Sequence, residues 1–202
     1  MRTFLITGFQ SFDQEKINPS YEAIKLLPDQ LDEIQIVKME LPTVFNLSSQ
    51  ILINKINEIH PDVIIMIGQA GGRKSISIER VAINIDDASI PDNQGNQPKD
   101  QPIVQDGKAA YFSTLPIKNI NMHLLEKGIS SSISNTAGTF VCNHLMYHIL
   151  HYLETNKIKS LAGFIHVPYI HEQVIEKPSV FSMNLDEITE AIKIVLRTIK
   201  EV

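Results

Sequence analysis

Apolar positions along the chain alternate between two spacings. Residues 2–8 form a short apolar run ending at Gly8, and residues 34–40 form another, so both are expected to be strands. Val63-Ile64-Ile65-Met66-Ile67 is continuous apolar chain between Pro61 and Gly68, and Leu161 to Val167 is a similar stretch stopped by Pro168. Unbroken apolar runs of this length are what a strand covered on both faces requires. Between these runs the spacing is helical. Asn18-Pro19 has the form of an N-cap with proline at the first helical position, opening a helix to about Leu27. Over roughly 45–59, Val44, Leu47, Ile51, Ile56 and Ile59 supply an apolar face that Pro61 ends. Further helices are expected from Pro116 to Lys127, closed by Gly128, and over about 141–155. Asn184-Leu185-Asp186-Glu187 resembles a capping box and opens a last helix striped by Leu185, Ile188, Ile192, Val195 and Ile199.

Three segments fit less simply. Residues 129–134 read as a short strand. Ser75 to Ile85 alternates through Ile76, Ile78, Val81, Ile83 and Ile85, which suits a half-buried strand or hairpin. Residues 86–108 are rich in Asp, Asn, Gln, Pro and Gly, and a loop of that length is either functional or disordered. Strands alternating with helices predict an α/β domain whose largely parallel sheet carries helices on both faces. The pattern leaves the strand order open.

Composition narrows the class. The 202 residues suit a single domain over 1–202, and 43% apolar with 20% charged residues is ordinary for a globular chain. A net charge of −5 argues against a nucleic-acid partner. No apolar run approaches the ~20 residues that a membrane span needs, and the stretch after Met1-Arg2 is too short for a signal peptide core. The expected location is the cytoplasm.

Candidate chemistry centres on the single cysteine, Cys142, which is either an inert packed thiol or a nucleophile. Turn-prone Asn135-Thr136-Ala137-Gly138-Thr139 precedes it and a helix follows. The sulfur therefore belongs to a first helical turn, where partial positive charge favours thiolate and unpaired N–H groups suit an oxyanion. His166 falls at the C-terminal end of a buried strand, the side on which open α/β sheets bind ligands; the competing reading is a structural histidine bonded to a loop carbonyl. Glu79 would hold the imidazole tautomer, or else is a plain solvated carboxylate beside Arg80. His144, His148 and His151 share one helix face. Position 145 is leucine rather than the glutamate of HExxH, and that face carries no carboxylate, so these are expected to be solvated or subunit-facing histidines without a metal. Gly68-Gln69-Ala70-Gly71-Gly72 matches neither GxGxxG nor a P-loop, which weakens a phosphorylase-like reading.

Seven segments in order give a more specific indication: Thr7-Gly8-Phe9 with Phe12; Ile17-Asn18-Pro19-Ser20; Ile67 to Arg73; Glu79 to Asn84; Ile90-Pro91-Asp92-Asn93; Ser134 to His144; and Gly163 to Tyr169. With them the chain resembles pyroglutamyl peptidase I, the pyrrolidone-carboxylate peptidase family, nearly end to end. The resemblance implies a three-layer α/β/α sandwich around a mostly parallel twisted sheet, a catalytic set of Cys142, His166 and Glu79, a homotetramer, and no metal or organic cofactor. Its substrates would be peptides beginning with pyroglutamate, cleaved through a thioester. The first residue of such a peptide is a five-membered lactam without a free amine, so its pocket should be apolar with a few hydrogen-bonding groups. Phe9, Phe12, Phe140 and Val141 are expected as walls, Gln69 as donor and acceptor, and the resemblance adds Asn18 and Ile90. Two departures stand out. Asp13-Gln14 replaces a Gly-Gly frequent in relatives, and Ser89 stands where relatives carry an arginine thought to help bind the substrate. The serine predicts reduced turnover unless Arg73 or Arg80 compensates, and its extreme reading is a weakened pyroglutamyl-peptide-binding protein.

Overall fold

The structure, a computed structural model, describes residues 1–13 and 15–201. Its main sheet contains β1 (Arg2–Phe9), β2 (Gln30–Leu31), β3 (Ile34–Leu41), β4 (Val63–Gln69), β5 (Ile76–Glu79), β8 (Ser131–Ser134) and β9 (Leu161–Val167), in the order β2-β3-β1-β4-β9-β5-β8. Strands β3, β1, β4 and β9 run parallel, whereas β5 and β8 run parallel to each other and opposite to β9. Two short ribbons lie apart: β6 (Val81–Ile83) with β7 (Ala110–Phe112), and β10 (Tyr169–Ile170) with β11 (Ser182–Met183).

The unbroken apolar runs behave as expected. Along β4, Val63, Ile65 and Ile67 face a core built with α1 (Pro19–Lys25), α3 (Ile117–Glu126) and α5 (Leu185–Lys200). Ile64 and Met66 face the opposite core, built with α2 (Leu47–Ile59) and α4 (Val141–Thr155). In β9, Ile165 and Val167 turn to the first side and Ala162 and Phe164 to the second. Because side chains alternate along a strand, one apolar run seals both helix layers to the sheet, and the result is the α/β/α sandwich. None of the helices of the described residues is long and apolar enough to cross a membrane.

Local signals fix the helix ends. Asn18 Oδ1 accepts from the Ser20 amide with Pro19 opening α1, and Asn184 Oδ1 accepts from the Asp186 amide at the start of α5. The Asn184 cap forms without the reciprocal Glu187 bond of a capping box among the described contacts. Gly128, at φ +77°, ends α3 in the left-handed conformation open to glycine. Asp13 holds φ +51°, a conformation the frequent Gly-Gly would adopt freely; Gln14, the other half of that departure, lies outside the described residues.

Two expectations are corrected. Ser75–Ile85 is neither one half-buried strand nor a hairpin. Every residue of β5 is buried, and the chain leaves the main sheet at Arg80 to form β6 in another ribbon. The polar positions Ser77 and Glu79 look outward in the sequence because they alternate with isoleucine, yet their face is covered by other residues. The long segment 86–108 is a built loop. Asp86 and Gln101 exchange backbone bonds, and the Asp92 carboxylate accepts from the amides of Phe45, Gln94 and Asn96 and from the Asn96 side chain. Burial alone would raise the Asp92 pKa, but these hydrogen bonds outweigh it and hold it below the usual value.

Candidate active site

Three elements meet at the C-terminal end of the parallel strands. Gly68 of β4 and His166 of β9 are register partners. Both lie on the α4 side of the sheet, following the alternation of Met66 and Phe164 before them. Cys142 enters from the first turn of α4, and its sulfur occupies the space a side chain on Gly68 would need. A methyl group placed on Gly68 would sit 2.9 Å from Cys142 Sγ and 2.8 Å from Phe164 Cζ. Glycine at 68 is thus required for the thiol to reach the sheet beside His166.

From the other flank, β5 contributes Glu79, which is completely buried. Its Oε1 accepts from His166 Nδ1 at 2.7 Å and from Arg73 Nη1 at 2.6 Å. A carboxylate only accepts, so Nδ1 carries the proton and Nε2 is the free imidazole nitrogen. Arg73 also donates to the Thr136 carbonyl at 2.8 Å, tying the turn before Cys142 to the same carboxylate. Arg73 and Arg80 were considered above as substitutes for an arginine at 89. Arg73 instead clamps Glu79, and Arg80 Nε binds Asn135 Oδ1 at 2.8 Å. Ser89 is exposed, and its carbonyl accepts from Gln97.

Electrostatics modify the expectation of a resting thiolate. Burial pushes the Cys142 thiol up to about 12; the nearby Glu79 charge adds to the rise and Arg73 only partly offsets it. Burial also pushes the His166 pKa below its ordinary value, against the upward pull of the Glu79 hydrogen bond and charge, with Arg73 acting downward. Both directions favour neutral thiol and neutral imidazole in the resting pair. Helix polarity acts on Cys142 over one turn and favours the thiolate, opposing the desolvation by Phe164 and the strand at Gly68.

A cavity of about 130 Å³ opens onto both groups. Phe9, Phe12 and Phe140 give it aromatic walls, with the Phe12 and Phe140 rings 6.1 Å apart. Asn18 and Gln69 line it as expected, and Thr43 and Ala137 join them. The volume is well below the ~300 Å³ of ordinary small-molecule sites, so it suits one small ring. No carboxylate is among the described lining residues. Val141 and Ile90 do not line it. Val141 is fully buried in the α2–α4 core because the first helical position points inward here, and Ile90 is partly buried outside the cavity. Thr43 gave no signal in the sequence: it follows Leu41-Pro42 at the end of β3, and only strand order brings it beside β1 and β4.

The expectation of solvated or subunit-facing histidines on α4 is corrected for His144. His144 is buried, with Nδ1 2.7 Å from Asp86 Oδ2 and Nε2 accepting from the Asn46 amide at 3.0 Å. Burial, with His144 and His151 nearby, pushes His148 down to about 4, and His151 Nδ1 lies 3.0 Å from Tyr111 Oη. The carboxylate missing from the helix face arrives from the 86–108 loop, which the helical spacing does not show. Among the described residues, no group of three or more His, Cys, Asp or Glu side chains is arranged to hold a metal.

Known proteins match this chain over essentially its whole length. The pyroglutamyl peptidase family model matches residues 2–202. A pyrrolidone-carboxylate peptidase of Brachyspira hyodysenteriae is 53% identical over 96% of this chain and 96% of its own. One from Caldanaerobacter subterraneus is 54% identical over 96% and 95%. The crystal structure of pyroglutamyl peptidase I from Bacillus amyloliquefaciens superposes with a TM-score of 0.97 at 45% identity, covering 100% of this chain and 98% of that one. A mutant pyrrolidone carboxyl peptidase from Pyrococcus furiosus gives 0.94 at 44% identity, covering 98% of each. With matches spanning essentially the full length of both partners, the chain belongs to the pyroglutamyl peptidase family.

Proposed function

We propose that Cys142, His166 and Glu79 carry out the family's reaction here, as a cysteine peptidase that removes an N-terminal pyroglutamyl residue. The observation that carries the assignment is the hydrogen-bonded line from Arg73 through Glu79 to His166, ending at a small cavity that also contains Cys142. An aromatic cavity without a carboxylate among its described lining residues suits a lactam, which has no ammonium group to pair.

Substrate binding places the pyroglutamyl carbonyl carbon against Cys142 Sγ. His166 Nε2 takes the thiol proton as sulfur attacks, which suits a resting pair that is neutral on both sides. Negative charge moves to the carbonyl oxygen. The first intrahelical bond of α4 starts at the His144 amide, so the amides of 141–143 have no helical acceptor and are free to receive that oxygen. The imidazolium, held by Glu79, gives its proton to the departing amine nitrogen as the C–N bond breaks. Water, deprotonated by His166, then cleaves the thioester, releasing pyroglutamic acid and restoring the thiol. Turnover of a chromogenic pyroglutamyl amide beside the matched glutaminyl and prolyl amides tests this reading. Selective hydrolysis of the first supports it; equal rates on all three, or no hydrolysis, would end it.

Residues 1–202 act as one peptidase domain, in the cytoplasm and as a homotetramer. A lone reduced thiol suits a reducing compartment. The tetramer rests on the resemblance to the family. Light scattering on the purified protein tests the tetramer, and a monomer would refute it.

A further inference from the structure

The side chain of Gln69 lines the cavity, and which end of its amide faces the ligand decides what the cavity recognises. That orientation is fixed from outside the cavity. The backbone N–H of Ile170 donates to Gln173 Oε1 at 3.1 Å, and a backbone N–H can only donate. The oxygen of Gln173 is thereby identified, so its nitrogen is the group turned towards Gln69. Gln173 Nε2 donates to Gln69 Oε1 at 2.9 Å, its shortest contact, while Glu15 Oε2 and the Ile17 carbonyl, both at 3.3 Å, share its second hydrogen. Every other neighbour of that nitrogen is an acceptor, and reversing the Gln173 amide would set oxygen against oxygen at all of them while leaving the Ile170 N–H facing an NH2.

We infer that Gln173 is a positioning residue for substrate specificity: it occupies the Gln69 carbonyl oxygen and leaves the Gln69 NH2 facing the cavity as donor to the lactam carbonyl of the ligand. This rests on the proposed pyroglutamyl-peptidase reading. The rest of the polar lining agrees with it. Asn18 Oδ1 is spent on Ser20, through both its amide and its hydroxyl, and one Asn18 Nδ2 hydrogen goes to the Gln10 carbonyl. Asn18 therefore has a donor to spare. Thr43 donates its hydroxyl to the same carbonyl at 3.0 Å and keeps lone pairs for an N–H. The lining thus offers donors for the C=O of a lactam and an acceptor for its N–H. A prolyl ring, which lacks the carbonyl, would leave the Gln69 and Asn18 donors unpaired, a penalty that falls on the wrong substrate. Gln173 itself lies in the 3-10 turn His171–Gln173 that follows β10, so the segment beyond the strand that carries His166 also sets the ligand contact.

The test is a double-mutant cycle on the full-length enzyme with Gln69→Met, Gln173→Met and the double variant. It reads kcat and KM for a pyroglutamyl amide and the inhibition constant of 2-pyrrolidone, the bare lactam. Each single substitution is expected to raise KM and the 2-pyrrolidone constant by about 5- to 10-fold, the size of one hydrogen bond, with a smaller effect on kcat. The double variant should bind no worse than Gln69→Met, because Gln173 acts only through Gln69. Gln173→Glu is the second variant: its carboxylate still accepts from Ile170 but has no hydrogen for Gln69, Glu15 or the Ile17 carbonyl, so it should weaken 2-pyrrolidone binding at least as far as Gln173→Met. Unchanged 2-pyrrolidone binding in both Gln173 variants, or losses that multiply in the double variant, would overturn the inference while leaving the peptidase standing. Wild-type protein that neither cleaves the amide nor binds 2-pyrrolidone would instead sink the function and this inference with it.

Discussion

Gly68→Ala places one methyl group where the account says only a sulfur fits. The added carbon would meet Cys142 Sγ at 2.9 Å and Phe164 Cζ at 2.8 Å, whereas ordinary contacts begin at 3.4 Å. Gly68 lies in the buried strand β4 and is paired in register with His166, so the backbone has little room to retreat. The neighbours must therefore yield by about half an ångström or more. Overpacking of this kind costs about 1–3 kcal/mol of stability. The larger consequence is kinetic, because a nucleophile displaced by up to ~1 Å from its attack geometry loses on the order of 100-fold in rate. Thermal melting and pyroglutamyl-amide kinetics should show a moderate drop in Tm with kcat/KM down by roughly 10- to 100-fold. Ile67→Val is the control. It removes one methyl from the opposite face of the same strand, in the α1–α3–α5 core, and costs about 1 kcal/mol. It should lower Tm with kcat/KM nearly unchanged. Gly68→Ala with kcat/KM within twofold of wild type would refute the close approach of thiol and strand.

Glu79→Gln should keep the fold and lower kcat by roughly 10²- to 10⁴-fold, since the imidazolium loses its charged partner and the tautomer is no longer fixed; an unchanged rate would remove Glu79 from the mechanism. Because burial lowers the His166 pKa, the acid limb of kcat/KM should lie below pH 6.5, the ordinary histidine value. The same shift favours neutral imidazole in the folded state, so its stabilising contribution is present above the unfolded pKa and is lost as pH falls from about 6.5 through the folded value; urea midpoints that rise on acidification through that window would contradict it. Ser89→Arg should raise kcat/KM in the amide assay, and a neutral or harmful effect would show that position 89 has no catalytic bearing here.

Much of the architecture was legible because its signals are local. The apolar runs of β4 and β9 can only be strands covered on both sides, and Asn18-Pro19, Gly128 and Asn184 mark helix ends by their own chemistry. The strands β7, β10 and β11 were not legible, since two or three residues carry no period and only pairing makes them strands; β6 showed its alternation at Val81 and Ile83 but not its departure from the main sheet. The same division runs through the site. Cys142 was visible from a turn-prone segment opening a helix, and His166 from the end of a buried strand. The environment of Glu79 was hidden: alternation with isoleucine reads as a solvated face, whereas its burial and its bonds to Arg73 and His166 come from strand order. The desolvation of Cys142 was hidden for a related reason. Helix polarity is written in the adjacent residues, but the desolvation that opposes it comes from Gly68 and Phe164, far away in sequence. His144 likewise finds its carboxylate, Asp86, on a loop rather than on its own helix.

The central claim is that the Cys142 sulfur attacks the substrate. It is tested most directly by measuring pyroglutamyl-amide hydrolysis by Cys142→Ser beside wild type, with circular dichroism confirming that both are folded. Hydroxyl is a far weaker nucleophile in a site shaped for a thiol, so the account predicts turnover by wild type and none detectable by the folded variant. Hydrolysis by Cys142→Ser within tenfold of wild type would contradict it.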